Sequence, residues 1–198
     1  TSWGARDLFD DDHELNCGCI GVYGSRAANF AVQNCDVLWI LGSRLDTRQT
    51  GGNLKRFAIA AKKVMVDLDS EEIGKLVEKG CPIHFPIVSE LKLFFLTVLS
   101  QKSILDPEHH SKITAWTKFT RESKAAYTDA PVDKLKKYEL TGDEPGVNAY
   151  TFIGRLNTKL PVNCTVVPDT GAALCWTMQS IKVRNGMRVY ANLGNSSM

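Results

Sequence analysis

No stretch of this sequence offers about eighteen consecutive apolar residues, so no membrane-spanning helix is expected. The opening Thr1-Ser-Trp-Gly-Ala-Arg-Asp-Leu-Phe9 lacks the architecture of a secretory signal, and it also lacks an initiator Met. Charge of one sign is scarce too. A formal net charge of +2 argues against the broad electrostatic footprint of a nucleic-acid binder. Cys-x-x-Cys pairs are absent, and His13, His84, His109 and His110 show no zinc-ligand spacing, so no metal site is expected. The six cysteines (Cys17, Cys19, Cys35, Cys81, Cys164, Cys175) are scattered, mostly among apolar neighbours. They read as buried free thiols in a reducing compartment, which makes the cytoplasm the expected location.

What is present supports a sizeable core: 43% of the 198 residues are hydrophobic, a normal share for a globular chain. The informative stretch runs from Cys35 to Asp69. Val37 to Leu41 is a short apolar run that stops at Gly42, the pattern of a strand buried on both faces of a parallel sheet. Lys63 to Leu68 repeats it and ends among carboxylates. Between them Leu54, Phe57, Ala58 and Ala61 recur at helical spacing, which completes a βαβ unit. In such sheets ligands gather beyond the carboxyl ends of the strands. Gly42, Arg44, Asp46 and Arg48 would stand there, with Asp67 and Asp69 beside them. A glycine allows close backbone approach, arginines pair with phosphates, and an acidic strand end accepts hydroxyl hydrogen bonds. The same charged residues also suit a surface ion-pair cluster.

Around this unit the chain alternates. Gly18-Cys-Ile-Gly21-Val-Tyr-Gly24 precedes a helix that Ser25 can cap, built from Ala27, Ala28, Phe30, Ala31 and Val32. Such glycines serve either an anion at the helix N-terminus or a tight loop. Ser70 to Leu76 reads as a short helix and Pro82 to Pro86 as a strand. Glu90 to Leu99 reads as an apolar helix with Leu91, Phe94, Phe95 and Val98 inward. The alternation gives an α/β class: a Rossmann-like parallel sheet with flanking helices. Residues 106–146 become more charged and are interrupted by Pro107, Pro131 and Pro145. They read as a surface connector, although Ile113, Trp116, Thr117 and Thr120 can share one helix face. From Val147 a second α/β domain begins, with helix (Tyr150, Phe152, Ile153, Leu156), strand (Thr165 to Val167), helix (Ala172 to Met178) and strand (Arg188 to Tyr190). Half a sheet leaves unpaired edges, so the chain reads as a fragment or as half of an intertwined assembly.

Five blocks occur in order: Gly21-Val-Tyr-Gly24, Asn29-Phe-Ala-Val-Gln-Asn-Cys-Asp36, Gly42-Ser-Arg-Leu-Asp-Thr-Arg-Gln-Thr-Gly51, Val66-Asp-Leu-Asp69 and Asp169-Thr-Gly171. Together they resemble the thiamine-diphosphate enzymes of the acetolactate synthase type, across nearly the whole chain. The resemblance implies that residues 1–105 are the later part of a central, FAD- or nucleotide-type domain. Residues 106–146 would be the connector, and 147–198 the incomplete start of the thiamine-diphosphate domain. It places Gly42, Arg44, Asp46, Arg48, Asp67 and Leu68 against FAD or a nucleotide. Gly171, Ala172 and Ala173 fall beside the cofactor diphosphate, and Met198 beneath the thiazolium ring. Acetolactate synthases commonly carry Gln-His where this chain has Ala172-Ala173, a departure from the acetolactate pattern.

The resemblance further implies a Mg2+-dependent carboligase or decarboxylase of 2-keto acids, shared between subunits of a homodimer or homotetramer. The glutamate that drives cofactor tautomerisation would lie upstream of Thr1, and the Gly-Asp-Gly segment that holds Mg2+ downstream of Met198. No Gly-Asp-Gly occurs here; Thr141-Gly-Asp-Glu144 lacks the second glycine. No catalytic residue is therefore expected in this chain, and the isolated chain is expected to be inactive. The competing expectations are a nucleotide- or flavin-binding module and a non-catalytic oligomerisation fragment.

Overall fold

The computed structural model describes residues 1–101, 107–127, 146–184 and 186–191. Two compact units emerge: Thr1–Asn29 with Thr120–Met198, and Phe30–Phe119.

In the second unit, β1 (Val37–Leu41), β2 (Lys62–Asp67) and β3 (Phe85–Val88) form a sheet in the order β1-β2-β3, every pair parallel. The expected α/β class is the one observed. Central β2 is buried from Lys63 to Val66, as a continuous apolar strand requires. Edge strand β1 differs from the expectation of burial on both faces. Ile40 is buried, but Val37 and Trp39 are about half exposed, because the three-stranded sheet has cover on only part of that face. On the covered face lie Ile40, Met65, Phe57, Ala58 and Ala61, with Ile73 and Leu76 from α3 (Ser70–Glu78).

The crossover between β1 and β2 corrects the sequence reading. Leu54, Phe57, Ala58 and Ala61 do not build an α-helix. The segment holds α2 (Thr47–Thr50), a 3-10 turn at Leu54–Arg56, and then Ala58 at φ +45°. The four apolar side chains still point inward, so their spacing reported burial rather than helicity. What replaces the helix is a polar clamp. Lys63 is fully buried, and its Nζ donates to the Ala58 carbonyl at 2.7 Å and to that of Ala61 at 3.4 Å. Gln33, on α1 (Arg26–Asn34), accepts the Ala58 N–H on its Oε1 at 3.0 Å. These bonds satisfy backbone groups that a helix would have paired internally.

Two further corrections concern the sheet's far edge. The strand expected at Pro82 to Pro86 begins at Phe85, after the His84 N–H donates to the Lys63 carbonyl. Pro82 has no N–H to enter such a ladder. In α4 (Leu91–Ser100), Leu91 and Phe94 are half-buried, whereas Phe95 and Val98 face outward at 43% exposure each. The helix is apolar around its circumference, so no stripe in the sequence specified which side meets the sheet.

The expected connector contains α5 (Pro107–Ala126), twenty residues long, and Pro107 opens the helix rather than breaking it. A proline is tolerated in a first turn, where its missing N–H would be unpaired anyway. Pro131 and Pro145 lie outside the described residues.

In the first unit, β4 (Thr165–Val166) and β5 (Arg188–Val189) pair in parallel, beside α6 (Ala149–Asn157) and α7 (Ala172–Ser180). Ile153, Leu174, Met178, Ile181, Val183, Met187 and Val189 form its core, and Trp3 and Cys19 are buried with them. The opening residues thus pack with the later ones. Polar pairing fixes them there. The Arg6 guanidinium donates to both Asp11 carboxylate oxygens at 2.8 and 2.7 Å and to the Ile181 carbonyl at 2.8 Å. The Asp11 carboxylate accepts the Val183 N–H at 2.7 Å. Asp7 accepts from Arg188 Nε at 2.7 Å and from the Val189 N–H at 3.0 Å. Burial pushes the Asp7 carboxyl up, yet these hydrogen bonds outweigh it, and its pKa ends below the usual 3.8. Its stabilisation is therefore present above that value and lost as pH falls through the lower folded one.

Two outcomes are expected. Asp11→Ala strands the Arg6 charge in a site where only 5% of that side chain is exposed. Urea denaturation should show a loss of about 3–5 kcal/mol, partly recovered by adding Arg6→Met. Asp7→Asn should flatten the acid limb of the pH–stability curve below about pH 4 while leaving the alkaline limb unchanged.

Candidate functional site

Parallel pairing brings the strand ends of the second unit to one rim. Leu41 faces Val66 across β1 and β2, and the Gly42 N–H donates to the Val66 carbonyl at 2.9 Å. Asp67 faces Val88, and the Ser89 N–H donates to the Asp67 carbonyl at 3.0 Å. Gly42, Asp67 and Leu68 therefore stand side by side. Leu68 is 71% exposed, an apolar side chain with nothing covering it. The Asp67 carboxylate accepts the Asp69 N–H at 3.0 Å on one oxygen. Asp69 in turn caps α3 by accepting from the Glu71 N–H at 2.8 Å. Gly42 adopts φ +58°, and a Cβ there would lie 2.9 Å from Leu91 Cδ1. The left-handed turn thus favours glycine here whether or not a ligand approaches, while the terminal methyl of Leu91 could shift aside.

The charged loop after β1 is only partly gathered. Among the described residues, Asp46 pairs with no arginine. Its Oδ1 accepts the N–H groups of Arg48 and Gln49 at 2.9 and 3.1 Å, capping α2. Among the described residues, no ion pair joins Arg44, Asp46 and Arg48, so the surface-cluster alternative is not what forms. Arg44 and Asp46 line a groove of about 480 Å3 between this loop and α3, while Gly42, Arg48, Asp67 and Leu68 lie outside it. The sequence reading missed the groove's Lys55, Lys75 and Lys79, which carry no motif. It also missed Lys63, whose signal would have been a lysine inside an otherwise apolar strand.

In the first unit the glycine-rich loop is a tight turn with its donors spent internally. The Asn29 amide accepts the Gly21 N–H and donates to the Gly21 carbonyl, both at 2.9 Å. The Gly24 N–H goes to the Gly21 carbonyl, and that of Gly18 to Asn16 Oδ1. Ser25 caps α1 by accepting the Ala28 N–H at 3.1 Å, as expected. A Cβ on Gly24 would lie 2.3 Å from the Cys19 carbonyl oxygen, so no other residue fits. Close backbone packing, rather than an anion, accounts for this motif.

The N-terminus of α7 is different. Gly171 takes the N-cap position at φ +73°, no side chain caps the helix, and Gly171, Ala172 and Ala173 are exposed. The first-turn N–H groups of such a helix have no intrahelical partner and carry its positive dipole end. Beside them Thr170 Oγ1 is buried without a partner. Leu174 and Met178 fix the helix in the core. Met198, expected under the thiazolium ring, lies outside the described residues.

All six cysteines are free thiols. Burial raises the pKa of Cys35 and Cys81, and pushes Cys19 up to about 11, so these three stay protonated at neutral pH and are poor nucleophiles. Among the described residues, no group of three His, Cys, Asp or Glu side chains can hold a metal ion. Nor is any described helix long and apolar enough to cross a membrane.

Residues 1–99 match the family model of the thiamine pyrophosphate enzyme central domain. The chain belongs to this family. Its relatives extend the likeness beyond that domain, on the acetolactate synthase side. It is 30% identical to the acetolactate synthase large subunit of Cyanidium caldarium over 187 residues, 94% of this chain and 29% of that protein. It is 29% identical to that of Pyropia yezoensis over 184 residues, 93% of this chain and 29% of that protein. Over 83 residues it is 42% identical to the probable acetolactate synthase large subunit of Methanocaldococcus jannaschii, 42% of this chain and 14% of that protein. The chain spans less than a third of these relatives, and what each of them does is a property of the longer protein. In this thiamine pyrophosphate enzyme domain, glycine substitutions should separate loop from helix. Gly24→Ala should cost about 3 kcal/mol or more by forcing backbone apart. Gly74→Ala, in α3 with nothing within 4 Å, should raise stability by about 0.5–1 kcal/mol in thermal melts.

Proposed function

We propose that this chain forms part of a thiamine-diphosphate- and Mg2+-dependent carboligase or decarboxylase of 2-keto acids, working as a homodimer or homotetramer. The observation that carries the reading is the shared rim of Gly42, Asp67 and Leu68 in a chain that matches the family over half its length. The rim suits FAD or a related nucleotide. Asp67 keeps one carboxylate oxygen for a ribityl or ribose hydroxyl, Leu68 offers an apolar contact, and Arg44 and Arg48, in no ion pair among the described residues, supply positive charge for phosphates.

The open first turn of α7 suits a diphosphate, with Gly171, Ala172 and Ala173 as its contacts and the unpartnered Thr170 hydroxyl as a further donor. When bound, thiamine diphosphate supplies the electron sink for decarboxylation of the keto acid. The role of this chain is to hold the diphosphate end and keep α7 rigid through Leu174 and Met178. The described residues do not fit Mg2+, and no part of the chemistry is assigned to a metal bound by them. Ala172 and Ala173 bring no titratable group to the helix start, which leaves proton transfer to residues elsewhere in the assembly. A second reading, a flavin or nucleotide module without catalysis, is favoured by the fact that the whole rim belongs to this chain.

The two readings separate experimentally. The full-length protein should show a flavin absorbance band, and Arg44→Ala or Asp67→Ala should each cut flavin occupancy, with affinity falling about tenfold. Full occupancy in both variants removes the flavin assignment. Calorimetry with thiamine diphosphate and Mg2+ on the 198-residue chain should give no micromolar binding; tight, magnesium-dependent binding would overturn the view that the site is shared with other segments.

A further inference from the structure

The chain leaving α7 is gripped by side chains from two other parts of the first unit. The last helical bond of α7 runs from the Ile181 N–H to the Thr177 carbonyl at 2.8 Å, and the groups that follow have no helix to complete. Asn157, at the end of α6, donates from Nδ2 to the Ser180 carbonyl at 2.8 Å and accepts the Lys182 N–H on Oδ1 at 3.1 Å. Arg6 donates to the Ile181 carbonyl at 2.8 Å. The Asp11 carboxylate accepts the Val183 N–H at 2.7 Å, and the Asp11 N–H donates to the Val183 carbonyl at 2.8 Å. Arg6 and Asn157 are buried at 5% and 6% exposure, and Ile181 and Val183 belong to the core. Tyr150 adds a bond from α6 to the last turn itself, its hydroxyl donating to Gln179 Oε1 at 2.6 Å. The opposite end of the same helix is the first turn at Gly171, Ala172 and Ala173, which has no side-chain cap.

We propose that Arg6, Asp11 and Asn157 are positioning residues for the diphosphate: by gripping the exit of α7 they set where its open first turn stands. This role rests on the diphosphate reading of that turn. A nine-residue helix spans roughly 13 Å and moves as a stiff rod, so a slide or rotation at Ser180 is passed on to Gly171. Leu174 and Met178 hold α7 by apolar burial, which is non-directional. Hydrogen bonds weaken steeply away from linear geometry, so bonds to the four successive residues from Ser180 to Val183 set the placement of the helix along and about its axis. A diphosphate needs first-turn N–H groups within hydrogen-bond reach, and loosening the support at the far end is felt there as weaker binding. Arg6 and Asp11 lie within the segment that matches the central-domain family model, and α7 lies beyond it, so residues of the matched segment place a helix outside it.

Titration of the full-length protein with thiamine diphosphate at saturating Mg2+, followed by calorimetry well below every variant's melting temperature, tests the role. Asn157→Ala, and separately the double variant Arg6→Met/Asp11→Leu, should each raise the cofactor Kd about tenfold. The double change removes both charges together, so neither is left stranded. Asp7→Ala is the control: it loosens the same opening segment where Asp7 holds Arg188 and Val189, on β5 rather than at the exit of α7, and should keep the parent Kd. Ala173→Asp puts a carboxylate in the first turn of α7, where it favours the helix but repels a diphosphate, and should abolish binding. Loss of binding in Ala173→Asp with the parent Kd in Asn157→Ala and in the double variant overturns the positioning role alone, as does an equal rise in Asp7→Ala. No binding by the parent, or full affinity in Ala173→Asp, overturns the diphosphate reading and the positioning role with it.

Discussion

The register of three parallel strands is the constraint from which the rest of the second unit follows. With Leu41 opposite Val66, and Asp67 opposite Val88, all three chains leave the sheet at one level. Backbone groups beyond a strand end have no ladder to complete, so they turn, cap helices or meet a ligand. Here Gly42 turns, Asp69 caps α3, and Asp67 and Leu68 are left facing outward. A slip of one residue in β2 would send Met65 to the opposite face and bring Val64 and Val66 into its place. Burial of Met65 and Val66 at 0% exposure opposes that slip, so the hydrophobic core sets the geometry of the polar rim.

Buried polar groups do comparable work in both units. Among the described residues Lys63 has no carboxylate partner and instead closes the carbonyls of a crossover that failed to become a helix. Arg6 and Asp11 tie the opening segment to Ile181 and Val183 through hydrogen bonds of 2.8 and 2.7 Å. Such pairs are weak evidence for stability in themselves, because desolvation offsets much of the attraction.

Much of the fold was legible in the sequence, and the reasons differ by element. Val37 to Leu41 and Lys63 to Leu68 announced strands through short apolar runs that end at a glycine and among carboxylates. Ser25 announced a helix start by the chemistry of capping, whereas the cap that Asp69 provides for α3 came only from the structure. The strand ends were legible as a rim because parallel topology leaves no other place for Gly42 and Asp67. Leu54 to Ala61 misled because periodic burial can arise from an irregular segment when core partners sit at suitable heights. Phe95 and Val98 misled because a helix apolar on every side carries no orientation signal. The glycine-rich loop left two readings open, and only the Asn29 hydrogen bonds to Gly21 decided between them.

The sequence by itself determined the class of fold, the family and the residues at the strand ends. Each of these depends on local patterns: apolar runs, turn residues and short ordered motifs. Tertiary structure alone decided that Arg44 joins Lys55 and Lys79 rather than Arg48, that Asp46 spends its carboxylate on a helix cap, and that Trp3 and Cys19 belong to the core of the later residues. Those outcomes depend on which side chains meet across long separations in the chain. Such meetings are set by packing against a whole core, and no window of neighbouring residues encodes them.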